Sequence, residues 1–137
     1  MTQMIEVKTA DLVGPALDWA VAKSIGAYRG EYAVCEGGEP WPAWIFPGAI
    51  PCKATTGKFK PSTDWAHGGP LIAKHQVNLH APQASDDCWA AWVTIRGKDF
   101  CHGGWQPLVA ACRAIVAAKL GEVVSVPAEL IYRGSRP

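Results

Sequence analysis

Residues 106–120 constrain the fold of this chain more than any other stretch. The segment opens on Gln106-Pro107 and stops just before Gly121. Proline suits a first helical turn, where its missing N–H has no intrahelical partner, and glycine suits the position past the last turn. Between them Leu108, Ala111, Cys112, Ile115, Ala118 and Lys119 recur at i, i+3, i+4, i+7 spacing, and alanine dominates. Alanine favours helix and leaves room for close approach. The spacing therefore predicts a helix over 106–120 that packs tightly on its neighbours.

Those neighbours are visible on both sides. Residues 88–95 read Cys-Trp-Ala-Ala-Trp-Val-Thr-Ile and are rich in strand formers. A period of two puts Cys88, Ala90, Trp92 and Thr94 on one face, and Trp89, Ala91, Val93 and Ile95 on a more apolar one. Residues 96–99 read as a hairpin turn and 100–102 as its return strand. Residues 75–80, His-Gln-Val-Asn-Leu-His, alternate with Val77 and Leu79 on one side. Toward the N-terminus, Pro15 prepares a helix over 14–25 with Leu17, Ala20, Val21, Ser24 and Ile25 on its buried face, Lys23 near its end and Gly26 beyond it. Residues 1–8 and 123–126 read as extended lead-in and exit, 127–131 as one last helical turn, and 132–137 as a disordered tail. The expected fold is α+β and two-layered, an antiparallel sheet of about three strands flanked by an N-terminal and a C-terminal helix, in a single domain over 1–137.

Composition narrows the function. Lys and Arg number 13 and Asp and Glu 12, so the net charge is +1, with 49% hydrophobic residues and seven Trp. That excludes wholesale disorder and gives no global drive toward nucleic acid or an anionic membrane. No apolar run approaches the roughly 18 residues that span a bilayer, and the N-terminus has no basic stretch followed by an apolar one. A cytoplasmic protein with no membrane partner is expected. The five cysteines are odd in number, spread out and without C-x-x-C, as expected of thiols packed as small apolar residues.

Two segments stand out as candidate sites. Residues 37–60 carry Pro40, Pro42, Pro47 and Pro51, which argue against regular structure and for a long Pro/Trp-rich loop. If exposed, Trp41, Trp44 and Phe46 in that loop form an apolar interface patch. Residues 62–70 read Ser-Thr-Asp-Trp-Ala-His-Gly-Gly-Pro. As a ligand site, Asp64 and His67 bind a polar group, Trp65 stacks on a ring, and Ser62, Thr63, Gly68 and Gly69 complete it. As plain structure, Ser62, Thr63 and Asp64 cap a turn, Trp65 fills the core, the glycine pair permits positive φ, and Pro70 begins a short helical turn carrying Leu71 and Ile72 inward. The His-Gly-Gly at 67–69 is echoed at 102–104, each followed by a proline and apolar residues. This reads as shared local chemistry, not a repeat.

Catalytic and metal readings are weaker. Ser62, Asp64 and His67 lie too close along the chain to define a triad, and no G-x-S-x-G is present. His67, His75, His80, Cys88, Cys101 and His102 show no paired ligand spacing, and His75 and His80 point to opposite faces if both lie on one strand. Cys112 falls on a buried helix face. No catalytic residues, metal or cofactor are expected. For nucleic acid, the start of the second long helix lacks the cations that a double-stranded RNA-binding module places there, leaving a local patch from Lys53, Lys58, Lys60, Arg96 and Lys98.

Three segments carry a family resemblance: residues 12–23, Leu-Val-Gly-Pro-Ala-Leu-Asp-Trp-Ala-Val-Ala-Lys; residues 61–72, Pro-Ser-Thr-Asp-Trp-Ala-His-Gly-Gly-Pro-Leu-Ile; and residues 107–121. Together, over about 9–131, the chain resembles the NinX-like family of phage and prophage proteins, a domain of unknown function. The middle segment is the most specific. The resemblance implies a phage accessory protein in a bacterial cytoplasm and brings no catalytic residues with it. The expectation is a non-catalytic module that binds a host or phage protein. A ligand or enzymatic site around Asp64, Trp65 and His67 is the alternative, and nucleic-acid binding a further one.

Overall fold

The computed structural model describes residues 3–26, 28–29, 43–45, 54–55, 59–128 and 130–131. Strand β1 (Met4–Lys8) leads through one 3-10 turn (Thr9–Asp11) into helix α1 (Gly14–Ser24). Three short strands follow, β2 (Tyr28–Arg29), β3 (Ala43–Ile45) and β4 (Ala54–Thr55). Then come helix α2 (Trp65–His75), strands β5 (Asn78–His80), β6 (Trp89–Ile95) and β7 (Lys98–Gly104), helix α3 (Pro107–Leu120) and strand β8 (Val123–Pro127). The described strands pair antiparallel in three sheets: β1–β8, β2–β3–β4 and β5–β6–β7. The fold is α+β, with the β5–β6–β7 sheet and helices α1 and α3 where the sequence pattern puts them.

Helix α3 is the central element, touching β6 and β7 on one side and α1 on the other. Contact on both sides explains its composition: Ala110, Ala111, Ala114 and Ala117 are buried and let the neighbouring backbones come close, while Leu108, Ile115 and Val116 fill the remaining volume. The β6 face expected to be apolar is the one turned inward, with Ala91 and Val93 buried and Trp89 and Ile95 packed at its margin. Helix α1 contributes Leu17, Trp19, Ala20 and Val21 to the same core. It ends at the expected glycine, Gly26 at φ 84°. The lead-in and exit segments pair antiparallel, Met4 opposite Pro127 and Lys8 opposite Val123. Buried Thr9 fastens this ribbon to the end of α3, its Oγ1 donating to Gly121 O at 2.7 Å.

Three local expectations need correction. Within 37–60, residues 43–45 and 54–55 do form strands. They are short enough to fit after Pro42 and before Pro47, and after Pro51, so the prolines bound the strands without interrupting them. Second, α2 starts at Trp65, and Gly68, Gly69 and Pro70 lie inside it. Neither glycine has positive φ. The helix tolerates Pro70 because the partner that loses its N–H is the carbonyl of exposed Ala66. Third, His75 ends α2 and His80 ends β5, so the two do not share a strand. Between them Gln76 takes a left-handed φ of 51°, and Val77 N donates to Ile72 O at 3.0 Å, a helix stop made without glycine.

Arg113 ties α3 to two other segments. Its Nε donates to Leu12 O at 2.9 Å and its Nη1 to Gly103 O at 2.8 Å. Removing the fork strands two carbonyls that receive charge-assisted bonds, so Arg113→Ala is expected to lower folding stability by about 2–3 kcal/mol. Arg113→Lys should recover less than half, because an ammonium cannot reproduce the planar fork. Urea midpoints at unchanged slope measure both; a loss below about 0.5 kcal/mol in the alanine variant contradicts this account.

Candidate functional site

Residues 60–67 form a turn joined to the first turn of α2. Thr63 N and Asp64 N both donate to Lys60 O, at 3.1 and 2.8 Å, closing the turn. Asp64 is then the N-cap of α2: its Oδ1 accepts from Ala66 N at 2.9 Å, and its carbonyl accepts from His67 N and Gly68 N. His67 folds back, and its Nδ1 accepts from Lys60 N at 3.0 Å. That bond requires an unprotonated Nδ1, so the 3.8 Å approach of Asp64 Oδ2 is not an ion pair in this arrangement. The ring of His67 also lies 5.7 Å from that of Phe59. One polar atom of each side chain that the sequence offered to a ligand, Asp64 Oδ1 and His67 Nδ1, thus has a local backbone partner.

Trp65 takes the opposite course from the structural expectation. It is 55% exposed and does not fill the core. Trp105, one residue past β7, is 76% exposed. A shallow cavity of about 230 Å³ runs beside Trp65, with Ser62 and Thr63 on the same side and residues 106–109, the start of α3, opposite. Gln106 caps that helix without a side-chain hydrogen bond. The two His-Gly-Gly motifs meet here as well. A Cβ on Gly68 would lie 2.6 Å from Leu108 Cδ2, and one on Gly104 would lie 2.8 Å from Ala110 N. Their shared chemistry is close approach to the first turn of α3, not a flexible loop.

Beneath this surface lies a residue that the sequence reading missed. Asp18, on α1, is only 6% exposed, and its Oδ1 accepts from Ser62 N at 2.9 Å. Burial raises its pKa from the usual 3.8 to about 6, against the lowering effect of the Ser62 hydroxyl and N–H and of nearby Lys60 and His67. Ser62 Oγ is itself buried and, although close enough to ease the carboxylate's ionisation, makes no hydrogen bond of full geometry. Cys112 of α3 is buried alongside. Its thiol pKa is pushed up by burial and further by the Asp18 charge, which leaves it a packed, unreactive group. One sequence signal pointed here: Asp18 is the lone acid between Ala16-Leu17 and Trp19-Ala20-Val21-Ala22.

The remaining candidates stay apart. Ser62 faces Asp18 and His67 faces Lys60, so the imagined Ser62–His67–Asp64 relay is not assembled. His75 Nδ1 pairs with Leu71 O, His80 packs edge-on against Trp92, and His102 Nε2 meets Glu122 Oε2 at 2.8 Å. Among the described residues no three His, Cys, Asp or Glu side chains converge as metal ligands. Trp41, Phe46, Lys53, Lys58 and the Trp44 side chain lie outside the described residues. No described helix is long and apolar enough to cross a membrane.

Comparison with curated proteins finds no significant match. The sequence profile of the family described as Bacteriophage P22, NinX matches residues 8–119, from the end of β1 almost to the end of α3. That span contains the capped turn, both His-Gly-Gly motifs and buried Asp18; the chain belongs to the bacteriophage P22 NinX family and is a phage accessory protein.

Proposed function

We propose that this protein acts by binding another protein, and that Trp65 and Trp105 with the groove at the start of α3 form its contact surface. The observation that carries this reading is the exposure of two indoles, 55% and 76%, the highest among the large apolar side chains of the described residues. Tryptophan is enriched at protein interfaces and dominates their energetics, because it covers a large area with few rotatable bonds. The occupant that fits is a protein segment offering an apolar side chain to the cavity of about 230 Å³ between Thr63, Trp65 and Leu108. The surroundings are those of a bacterial host's cytoplasm, where the partner is a host or phage protein. A catalytic reading gains less support, since Asp64 and His67 are engaged by backbone.

The test places a photo-crosslinking residue at Thr63, beside the groove, in otherwise unchanged protein and in Trp65→Ala/Trp105→Ala protein. Both indoles are exposed, so the double variant is expected to keep its circular dichroism and melting temperature. A discrete adduct in phage-infected cells that drops at least about tenfold in the variant supports the proposal, as removal of two hot-spot residues should. The same adducts in both proteins overturn it.

A further inference from the structure

At the opposite end of α3 a second cavity, of about 450 Å³, opens between the β6–β7 hairpin and the last helical turn. Ile95, Phe100 and Ala118 supply its apolar wall, and Arg96, Lys98 and Lys119 its charge. No carboxylate lines it. Among the described residues none of the three cations is in an ion pair. Lys98 Nζ stands 5.3 Å from the centroid of the Phe100 ring, which holds the ammonium at the cavity. The positive field reaches further, because His75 has its proton affinity lowered by burial first and then by Lys119 and Lys74. In a chain of net charge +1, such grouping gives this face a local positive potential that favours an anion.

Arg96 adds an independent observation. The hairpin closes with Ile95 opposite Lys98, and the two turn residues have φ of 54° at Arg96 and 76° at Gly97. Positive φ at both positions marks a type I′ turn, in which Asn, Asp or Gly is favoured first. An arginine held there strains the backbone, a condition that clusters at ligand sites. Lys119 alone is accounted for by the negative end of the α3 dipole; Arg96 is not.

We propose that this cavity binds a nucleoside 5′-phosphate, free or as the 5′ end of a nucleic-acid strand. The phosphate sits among Arg96, Lys98 and Lys119, and the base lies against Ile95, Phe100 and Ala118. A phosphate monoester carries a charge of about −2 near neutral pH, which suits three cations better than a carboxylate does. The volume lies in the range of small-molecule sites, roughly 300–1,000 Å³, and exceeds what bare phosphate needs. An aromatic and aliphatic wall suits a planar ring.

Isothermal titration with thymidine 5′-monophosphate at low ionic strength tests this, with thymidine and inorganic phosphate as fragments and a 5′-phosphorylated oligothymidine as the strand. The variant is Arg96→Asn/Lys119→Gln, whose turn asparagine relaxes the strained position and so preserves the fold. Binding of the monophosphate that is at least about tenfold weaker in the double variant, with both fragments weaker still, upholds the site. Tighter binding of the oligonucleotide, falling steeply with salt, assigns the ligand to a strand end. Equal affinity for both assigns it to free nucleotide. Four results overturn the proposal: no binding of either probe, equal binding by wild type and variant, thymidine as good as its phosphate, or inorganic phosphate as good as the nucleotide.

Discussion

Gly68→Ala is expected to lower folding stability by about 2 kcal/mol or more, whereas Gly69→Ala, one residue on, should change it by less than about 1 kcal/mol in either direction. Both glycines are inside α2, where alanine has the higher helix propensity, but position 69 precedes Pro70, whose ring crowds a Cβ on the residue before it. Beyond its chain neighbours position 69 has nothing within 4 Å of an added Cβ, so the propensity gain is offset only by crowding against the Pro70 ring that follows it. At position 68 the new carbon meets the Pro61 carbonyl oxygen and lies 2.6 Å from Leu108 Cδ2. The leucine terminus can rotate, but the Pro61 carbonyl belongs to the turn whose next N–H, that of Ser62, is bonded to Asp18. Relief must therefore push α2 away from α3 or spoil that buried bond. Urea unfolding of the two single variants measures the contrast, and a stabilised Gly68→Ala protein would show that the contact yields freely.

The same glycine pair shows where the sequence stops being readable. His-Gly-Gly-Pro carries every local sign of a flexible loop, and only contact with the Pro61 carbonyl and with Leu108, 40 positions away, makes Gly68 a packing residue. What was legible is what depends on neighbours along the chain. The Pro107-to-Gly121 helix, the α1 helix with Gly26 behind it, and the inward face of β6 each follow from periodicity and punctuation that no distant contact overrides. The β1–β8 ribbon was visible only as two extended ends, since nothing in Met4–Lys8 names Val123–Pro127 as its partner. Helix α2 was shortened in the reading because Gly and Pro are poor helix formers; the Asp64 cap and the packing against α3 outweigh them. Its end was missed because Gln76, a residue without preference for positive φ, does the work of a glycine. Within the candidate site, the turn-capping role of Asp64 could be read from residue type. The exposure of Trp65 could not, because an indole's chemistry suits core and surface alike.

Asp18 yields the sharpest pH signature. Its folded pKa is about 6 against an unfolded value near 3.8, so the folded state binds the proton more tightly. Below about pH 3 both states are protonated at this residue and it contributes no pH dependence. Between about 4 and 6 the unfolded chain releases the proton first, so raising pH favours unfolding. Above about 6 the penalty is complete, on the order of 3 kcal/mol. Asp18→Asn should remove that penalty while keeping an oxygen to accept from Ser62 N. The variant is thus expected to be more stable than wild type by about 2–3 kcal/mol at pH 7, with the advantage shrinking to under about 1 kcal/mol at pH 4. Asp18→Ala instead leaves the Ser62 N–H buried without an acceptor and should be about 1–3 kcal/mol less stable than Asp18→Asn at every pH. Titrating groups away from Asp18 affect all three proteins alike, so the differences between urea-unfolding curves at pH 4, 5, 6 and 7 report this carboxyl together with the charges that act on it, Lys60 and His67. A wild-type to Asp18→Asn difference that stays constant from pH 4 to 7 would mean the carboxylate ionises in the fold as it does in water. A carboxylate kept against this penalty, beneath the turn that presents Trp65, holds that turn to α1 by a bond whose strength varies with its own charge.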